Sequence, residues 1–448
     1  MHGRSLQSLI AARSLSTQGV EVIGCDETPL MALSFSRHVS QTFLHAPSET
    51  GEEEFVKDLV QRVLDFKPPQ GVPYVLMPVN HLTYVVARHA HRFEPLIKVA
   101  APPIKSINRV YPKDRLVETA RALGVPVPRT ATMTKTDDLE SLGRPFALPA
   151  FVKLPDSCAG VGIERVESQD ELDATFFRFV EQFGVSEHRP VLLQEAVEGD
   201  DYCVTMLCDH GEVRASMVYR NLKTFPSESG FGVLRETVSA KPLEQVSARL
   251  LSMIGWHGVV QLDFRWDGTS DDSVHLIEIN PRFWGGLFQS VASGIDYPWL
   301  LFQLCAHGEV PPSPSPAIGK RTRVPIVALL ADLQERTDAS PSTDLGRALR
   351  DGWKQLADGS LREALSTWGD GVLQSLDPSE RISHIDQWWR EHQEAEAEFS
   401  AREDPLALLG LLCVLGSLVR TGQLPEEIRR SGNSRWREFG ESTTDGDA

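Results

Sequence analysis

The feature that most restricts this chain is a pair of alternating segments joined by one acidic turn. In Gln261-Leu-Asp-Phe-Arg265, extended alternation puts Gln261, Asp263 and Arg265 on one face and Leu262 and Phe264 on the other. In Leu276-Ile-Glu-Ile-Asn280, Glu278 and Asn280 share a face while Ile277 and Ile279 point into a core. The stretch between them, Trp266-Asp-Gly-Thr-Ser-Asp-Asp-Ser273, reads as a turn, so the two segments form a hairpin. Such a hairpin gathers Asp263, Glu278 and Asn280 into an all-oxygen cluster. Mg²⁺ favours donors of this kind, usually one or two carboxylates with substrate phosphates completing the shell. A hairpin with a merely solvated polar face would alternate in the same way, and on these residues alone the two readings stand level. Pro281-Arg-Phe-Trp-Gly-Gly286 follows directly and sets a planar guanidinium, Arg282, beside the carboxylates. A donor fork there suits a phosphoryl group on which charge develops.

Two upstream elements complement the hairpin. In Phe151-Val-Lys-Leu-Pro-Asp-Ser-Cys-Ala-Gly-Val-Gly162 a strand ends in Lys153, and a small-residue loop follows whose backbone N–H groups can cover phosphates. It lacks the GxxxxGK[ST] spacing of a P-loop. In Gln194-Glu-Ala-Val-Glu-Gly-Asp-Asp-Tyr202 a strand runs into a short connector. Its main-chain groups can meet an adenine edge, and Asp201 is placed to meet ribose hydroxyls. Alone, it would read as an acidic turn.

The rest of the chain gives the frame. Residues 1–110 alternate helices (Leu6 to Ser16, His81 to His91) with apolar strands (Gly19 to Gly24, Tyr74 to Val79), which implies a parallel α/β unit. Such a unit normally opens on a strand. This one opens on a helix, so its first strand is expected to be missing, through truncation or a wrongly assigned start. Tyr111 to Gly124 reads as a helix with Pro in its first turn and Gly at its end. Then come strands Ala150 to Leu154, Val191 to Glu195, Tyr202 to Leu207, Val213 to Tyr219, Val259 to Arg265 and Val274 to Asn280. Helices Glu171 to Phe183 and Pro242 to Ile254 interrupt them, an α+β pattern with antiparallel pairing. Pro311-Pro-Ser-Pro-Ser-Pro316 reads as a linker.

Charge and cysteine content narrow the partners. With 45 Lys+Arg against 62 Asp+Glu the net charge is −17, and there is no basic cluster, which argues against nucleic-acid binding. Cys25, Cys158, Cys203, Cys208, Cys305 and Cys413 form no CxxC pair, as expected of reduced thiols in a cytoplasmic protein. The most apolar stretch, between Pro405 and Arg420, falls short of the roughly 20 residues that span a bilayer, so a buried helix rather than a membrane anchor is expected. Residues 331–448 carry 23 acidic and 13 basic residues yet hold five of the nine tryptophans. Disordered acidic tails are poor in aromatics. Helices are therefore expected over Leu345 to Leu356, Leu361 to Trp368, Ser379 to Arg402 and Pro405 to Arg420, as an appendage packed on the core or on a second subunit of a homodimer.

From about Tyr111 to Phe288, in this order and spacing, the motifs resemble the ATP-grasp superfamily of carboxylate–amine ligases. The resemblance implies a pre-ATP-grasp α/β domain (1–110), a small ATP-grasp subdomain (111–195), a large one with the metal hairpin (196–316) and an acidic, mainly helical C-terminal domain (317–448). Carried over by position, Lys113 and Lys153 are implied as phosphate-binding lysines, and Asp156 to Gly162, with Ser157, Gly160 and Gly162, as the phosphate-covering loop. Gln194, Glu195 and Val197 match the adenine-contacting connector and Asp201 the ribose acid. Asp263, Glu278 and Asn280 match the magnesium ligands, and Arg282 the arginine of the E-x-N-P-R signature. Two departures stand out: Lys153-Leu-Pro155 replaces the frequent Lys-Pro, and Asp201 replaces the commoner glutamate.

The activity implied uses ATP with two Mg²⁺ ions, Mn²⁺ being an alternative. A small-molecule carboxylate becomes an acyl phosphate with release of ADP, and an amine, of an amino acid or peptide-like substrate, then displaces phosphate. Arg282 and Lys153 would serve the chemistry, with Arg220 as a bidentate clamp on a substrate carboxylate. His257 and Cys158 are read as structural. A carboxylase or carbamoylating enzyme of the same superfamily, or a regulatory nucleotide-binding module without ligase activity, are the alternatives.

Overall fold

The computed structural model describes residues 2–29, 31–48, 51–156, 162–186, 189–225, 231–324 and 394–398, with single positions 328, 351, 355, 363, 366, 367, 404 and 406. The helix expected from Ser379 to Arg402 is corrected at residues 394–398, where Glu396 and Ala397 form a short strand that pairs in parallel with Thr322 and Arg323. The other expected helical residues between Leu345 and Arg420 lie outside the described residues but for those single positions.

The chain enters on α1 (Leu6–Thr17), whose N-cap Ser5 accepts a hydrogen bond from the Ser8 amide at 3.2 Å. Next come β1 (Ile23–Asp26), β2 (Gln41–Leu44), α2 (Glu52–Asp65), β3 (Val75–Leu76), α3 (Leu82–Arg88), α4 (Ala90–Phe93) and β4 (Lys98–Val99). The pairing is parallel, as expected, but it forms two two-stranded sheets, β1 with β2 and β3 with β4. The first expected strand sits a few residues later, at Ile23–Asp26. The second is shorter than the apolar run suggested, because Pro78 and Asn80 (φ 57°) turn the chain away. Phe55, Val56, Leu59, Leu76, Val85, Val86 and Phe93 form the core of this unit.

Helices α5 (Ile104–Val110) and α6 (Lys113–Ala122) follow, the second closed by Gly124 at φ 65°. A four-stranded antiparallel sheet is built from β5 (Thr130–Met133), β6 (Ala150–Lys153), β7 (Ile163–Val166) and, after α7 (Gln169–Phe183), β8 (Val191–Glu195). Its order is β5-β8-β6-β7. The remaining elements are β9 (Asp200–Asp209), β10 (Glu212–Phe225), β11 (Phe231–Val238), α8 (Lys241–Met253), β12 (Gly258–Trp266), β13 (His275–Asn280), α9 (Leu287–Ala292), α10 (Tyr297–His307), β14 (Arg321–Arg323) and β15 (Glu396–Ala397). Their strands make one seven-stranded sheet, β13-β12-β9-β10-β11-β14-β15. Its last two strands come from beyond the proline-rich segment.

Period-two alternation explains why both faces of this sheet are covered. On β9, Tyr202, Val204, Met206 and Cys208 pack with Leu243 and Leu250 of α8 and with Ile107, Leu116 and Ala120 of α5 and α6. Cys203 and Leu207, one residue out of phase, pack on the opposite side with Leu287, Tyr297, Leu300 and Leu304 of α9 and α10. One sequence expectation fails here. Phe264 pairs with Leu276, so Ile277 is skipped by a bulge between the Asp263 and Phe264 pairings. Leu276, not Ile277, therefore joins Ile279 in the core. No helix among the described residues is long and apolar enough to cross a membrane.

A buried ion pair fastens the C-terminal strand to the sheet. Arg235 of β11, 2% exposed, pairs with the fully buried carboxylate of Glu398. Removing one partner strands the other charge in a dry site, so Arg235→Ala is expected to destabilise the protein by about 3–5 kcal/mol. The Arg235→Met/Glu398→Leu double variant should recover much of that loss. Urea unfolding of the three proteins measures both effects.

Candidate functional site

The β12–β13 register fixes the floor of the site. Asp263 lies directly across from Glu278, and Gln261 across from Asn280. Asn280 donates through Nδ2 to Asp263 Oδ2 at 3.0 Å and to Gln261 Oε1 at 3.3 Å, and Gln261 Nε2 donates to the Tyr219 hydroxyl at 3.0 Å. These amide contacts hold the floor without neutralising its carboxylates. Burial, and next the charge of Glu278, push the Asp263 carboxyl up to about 7.

Two lysines close on this floor from different elements. Lys113, at the start of α6, reaches Glu278 Oε1 at 3.2 Å, while its backbone N–H donates to the Pro155 carbonyl at 3.1 Å. The start of α6 is thereby tied to the loop after β6. Lys153, the last residue of β6, donates to Gln194 Oε1 at 2.6 Å, and Gln194 Nε2 donates to Thr130 Oγ1 at 3.1 Å. Burial lowers the Lys153 pKa to about 8, with the like charge of Lys113 as the next cause. Gly162 ends the hairpin loop at φ 67°, its carbonyl accepting from the Leu154 amide at 2.8 Å. Ser157 and Gly160 lie outside the described residues.

The connector from the small to the large sheet runs over residues 196–199. Glu195 is tied to Arg129 by backbone and side chain, and Val197 is half-buried. Gly199 has φ 119°, and a Cβ there would meet the Trp266 backbone at 2.7 Å, so only glycine fits. Asp201 is held by Arg265, Nε to Oδ1 at 2.9 Å, while Arg265 Nη1 also donates to the Gly199 carbonyl at 2.7 Å. Burial raises the Asp201 pKa and Arg265 opposes it. Arg282 follows β13 directly. Its Nη1 donates to the Phe283 carbonyl at 3.2 Å, and its charge acts on Asp263, lowering that carboxyl's pKa against the larger raising effects.

Arg220 is the correction. Cys203 and Tyr219 are cross-strand neighbours on the face of Asp263. Arg220, one residue beyond Tyr219, points to the other face, where it pairs with Asp200 at 3.1 Å and Glu236 at 3.4 Å. The expected substrate clamp is therefore not brought to the carboxylates. Arg220→Ala should leave KM for ATP within about twofold, as the loss of a partly exposed ion pair does. Steady-state kinetics tests this. Missing from the sequence reading are Cys203 and Tyr219, which border Asp263 and Gln261. Alternation on β9 from Asp201 could have flagged Cys203.

The chain and its fold have known counterparts. Residues 187–326 match a family model described as an ATP-grasp in the biosynthetic pathway with Ter operon. The described fold is similar to a biotin carboxylase–βγ-ATP complex from Campylobacter jejuni, with TM-score 0.56 and 16% identity over 71% of this chain and 72% of that one. It is also similar to the L-amino acid ligase from Bacillus licheniformis, with TM-score 0.53 and 16% identity over 69% and 76%. The chain carries the ATP-grasp fold. Within that fold the small sheet and the β12–β13 hairpin are the pieces that face each other through Lys113, Lys153 and Glu278. A curated relative, the carbamoyl phosphate synthase large chain of Methanospirillum hungatei, is 22% identical over 61% of this chain. This chain spans a quarter of that relative's length.

Proposed function

We propose that this ATP-grasp protein joins a small-molecule carboxylate to an amine through an acyl phosphate, releasing ADP and phosphate. The observation that carries the reading is the facing pair Asp263 and Glu278, opposed by Lys113 at 3.2 Å from Glu278 and by Lys153 across the cleft. The donor set is all oxygen, and Glu278 helps hold Asp263 near neutrality, a repulsion that a divalent cation would turn into attraction. The residues thus fit Mg²⁺, which Asp263, Glu278 and Asn280 would hold. Bound there with ATP, the cation would supply charge neutralisation on the phosphates. Lys113, Lys153 and Arg282 position and neutralise the transferring phosphoryl group, which is most of what such a transfer asks of a protein. Gln194, Glu195 and Val197 line the adenine edge, and Asp201, oriented by Arg265, meets the ribose. No side-chain nucleophile is required.

The test is ADP and product formation with ATP, Mg²⁺ and a panel of carboxylates and amines, read by a coupled assay and mass spectrometry. ADP released only when both partners are present, with an amide mass, supports the reading. Bound ATP without turnover across the panel overturns it in favour of a nucleotide-binding module. The carbamoyl phosphate synthase and biotin carboxylase likenesses favour a second reading, which bicarbonate-dependent ADP release without any amine would establish.

A further inference from the structure

The far end of β9 carries a second group of ligand-bearing side chains. Asp209 ends the strand, and His210-Gly211 makes a two-residue turn into β10. Both turn residues have positive φ, 50° and 91°, the pattern of a tight hairpin turn. Gly, Asn, Asp and His are the residues that tolerate such positions, so His210 sits in the turn without a bulky or β-branched residue's strain. The Gly211 amide donates to the Trp256 carbonyl at 2.6 Å. That bond ties the turn to the loop between α8 and β12, which presents His257 between Gly255 and Gly258, both at positive φ. Two separate chain segments are thus locked together where the three side chains meet.

Asp209, His210 and His257 each bring one ligand atom within 4.8 Å of the others. His210 Nδ1 lies 2.8 Å and His257 Nδ1 3.3 Å from the same oxygen, Asp209 Oδ1. The two imidazole rings are 4.4 Å apart. The buried His257 Nδ1 meets Asp209 as an ion-pair contact, with no hydrogen-bond geometry to any of the described residues. Arg214 Nη2 holds the other carboxylate oxygen at 3.1 Å, which fixes the carboxylate's orientation. A tetrahedral ion with bonds of 2.0–2.2 Å needs ligand atoms about 3.4 Å apart, so a small relaxation seats one.

We propose that Asp209, His210 and His257 form a site for a divalent transition-metal ion of the zinc class, distinct from the oxygen-lined hairpin. Two imidazoles and one carboxylate suit zinc, cobalt or nickel rather than Mg²⁺. Burial lowers the His257 pKa and so favours the neutral, ligating form. Asp209 lies six residue steps along β9 from Cys203, about 20 Å at ~3.3 Å per residue, so the ion would not share the nucleotide site. It would clamp the β9–β10 turn to the start of β12, the two strands that carry Asp201 and Asp263.

The test uses the full chain, stripped with EDTA and titrated with ZnCl₂ in excess Mg²⁺, with bound zinc counted after desalting. One zinc per chain and a raised melting temperature are expected. Asp209→Asn and His210→Ala should each weaken zinc binding at least ~10-fold. His210 is 81% exposed, so its variant should fold, which an unchanged melting temperature in EDTA confirms. CoCl₂ gives a second readout: a tetrahedral visible spectrum without a thiolate charge-transfer band supports the site. No zinc uptake, uptake unchanged in both variants, or a thiolate band would overturn it.

Discussion

Asp263→Asn is expected to cut kcat/KM for ATP-driven turnover by about 10³-fold and, at the same time, to raise the melting temperature of the metal-free protein at alkaline pH. The two effects share one cause. Burial, and then the charge of Glu278, push the Asp263 carboxyl up to about 7 from an ordinary value of 3.8. Because the folded-state value is raised, the folded chain binds more protons than the unfolded chain between these two limits. The contribution of Asp263 to stability is therefore fully present below about pH 4 and is lost as pH rises through about 7. Asn removes that loss along with the charge. Mg²⁺ should act in the opposite sense, because a carboxylate ligand must be deprotonated to bind it. It should stabilise the wild-type protein more at about pH 8 than at about pH 6, and the Asn variant little at either. Thermal scans across this range, with and without Mg²⁺, measure the pattern. Coincident wild-type and variant curves would show that Asp263 is not under charge stress in the fold.

The hairpin that underlies this expectation was legible because its information is local. Five alternating residues on each strand suffice to put Asp263, Glu278 and Asn280 on one face, and the register places Asp263 against Glu278 and Asn280 beside them. Parity is also where the reading broke. The bulge before Phe264 shifts the phase on β13, so the core takes Leu276 instead of Ile277, and no composition signal marks such a shift. Arg220 failed for a related reason. The strand was expected to end at Tyr219, which would have freed Arg220 to swing toward the site. In the fold β10 runs on to Phe225 and commits Arg220 to the opposite face. β5 and β7 are four residues long and partly polar, too short for alternation to stand out. The Arg235–Glu398 pair joins residues 163 apart, a contact that only the tertiary fold brings together.

Lys153→Met should weaken ATP binding and kcat/KM by about 10²–10³-fold, since a preorganised cation in a dry cleft acts on phosphate far more strongly than one in water. The same substitution should change the pH dependence. Burial, and next the charge of Lys113, lower the Lys153 pKa to about 8 from 10.5. Without nucleotide, the folded chain binds fewer protons than the unfolded chain between these limits, so stability rises with pH across that window. The protonated lysine is thus a cost to the empty fold at neutral pH, which the phosphates offset on binding. Wild-type affinity for ATP should accordingly fall as pH rises above about 8. Lys153→Arg keeps its charge throughout that range and should give a flatter profile. In Lys153→Met the residual affinity should not depend on this ionisation, while the metal-free protein should be more stable than wild type near neutral pH. Calorimetric ATP titrations of the three proteins between about pH 7 and about pH 9 separate these outcomes. Lys153→Met with affinity within about threefold of wild type would place the phosphates elsewhere in the cleft, because a buried cation at hydrogen-bond distance from them could not be lost so cheaply.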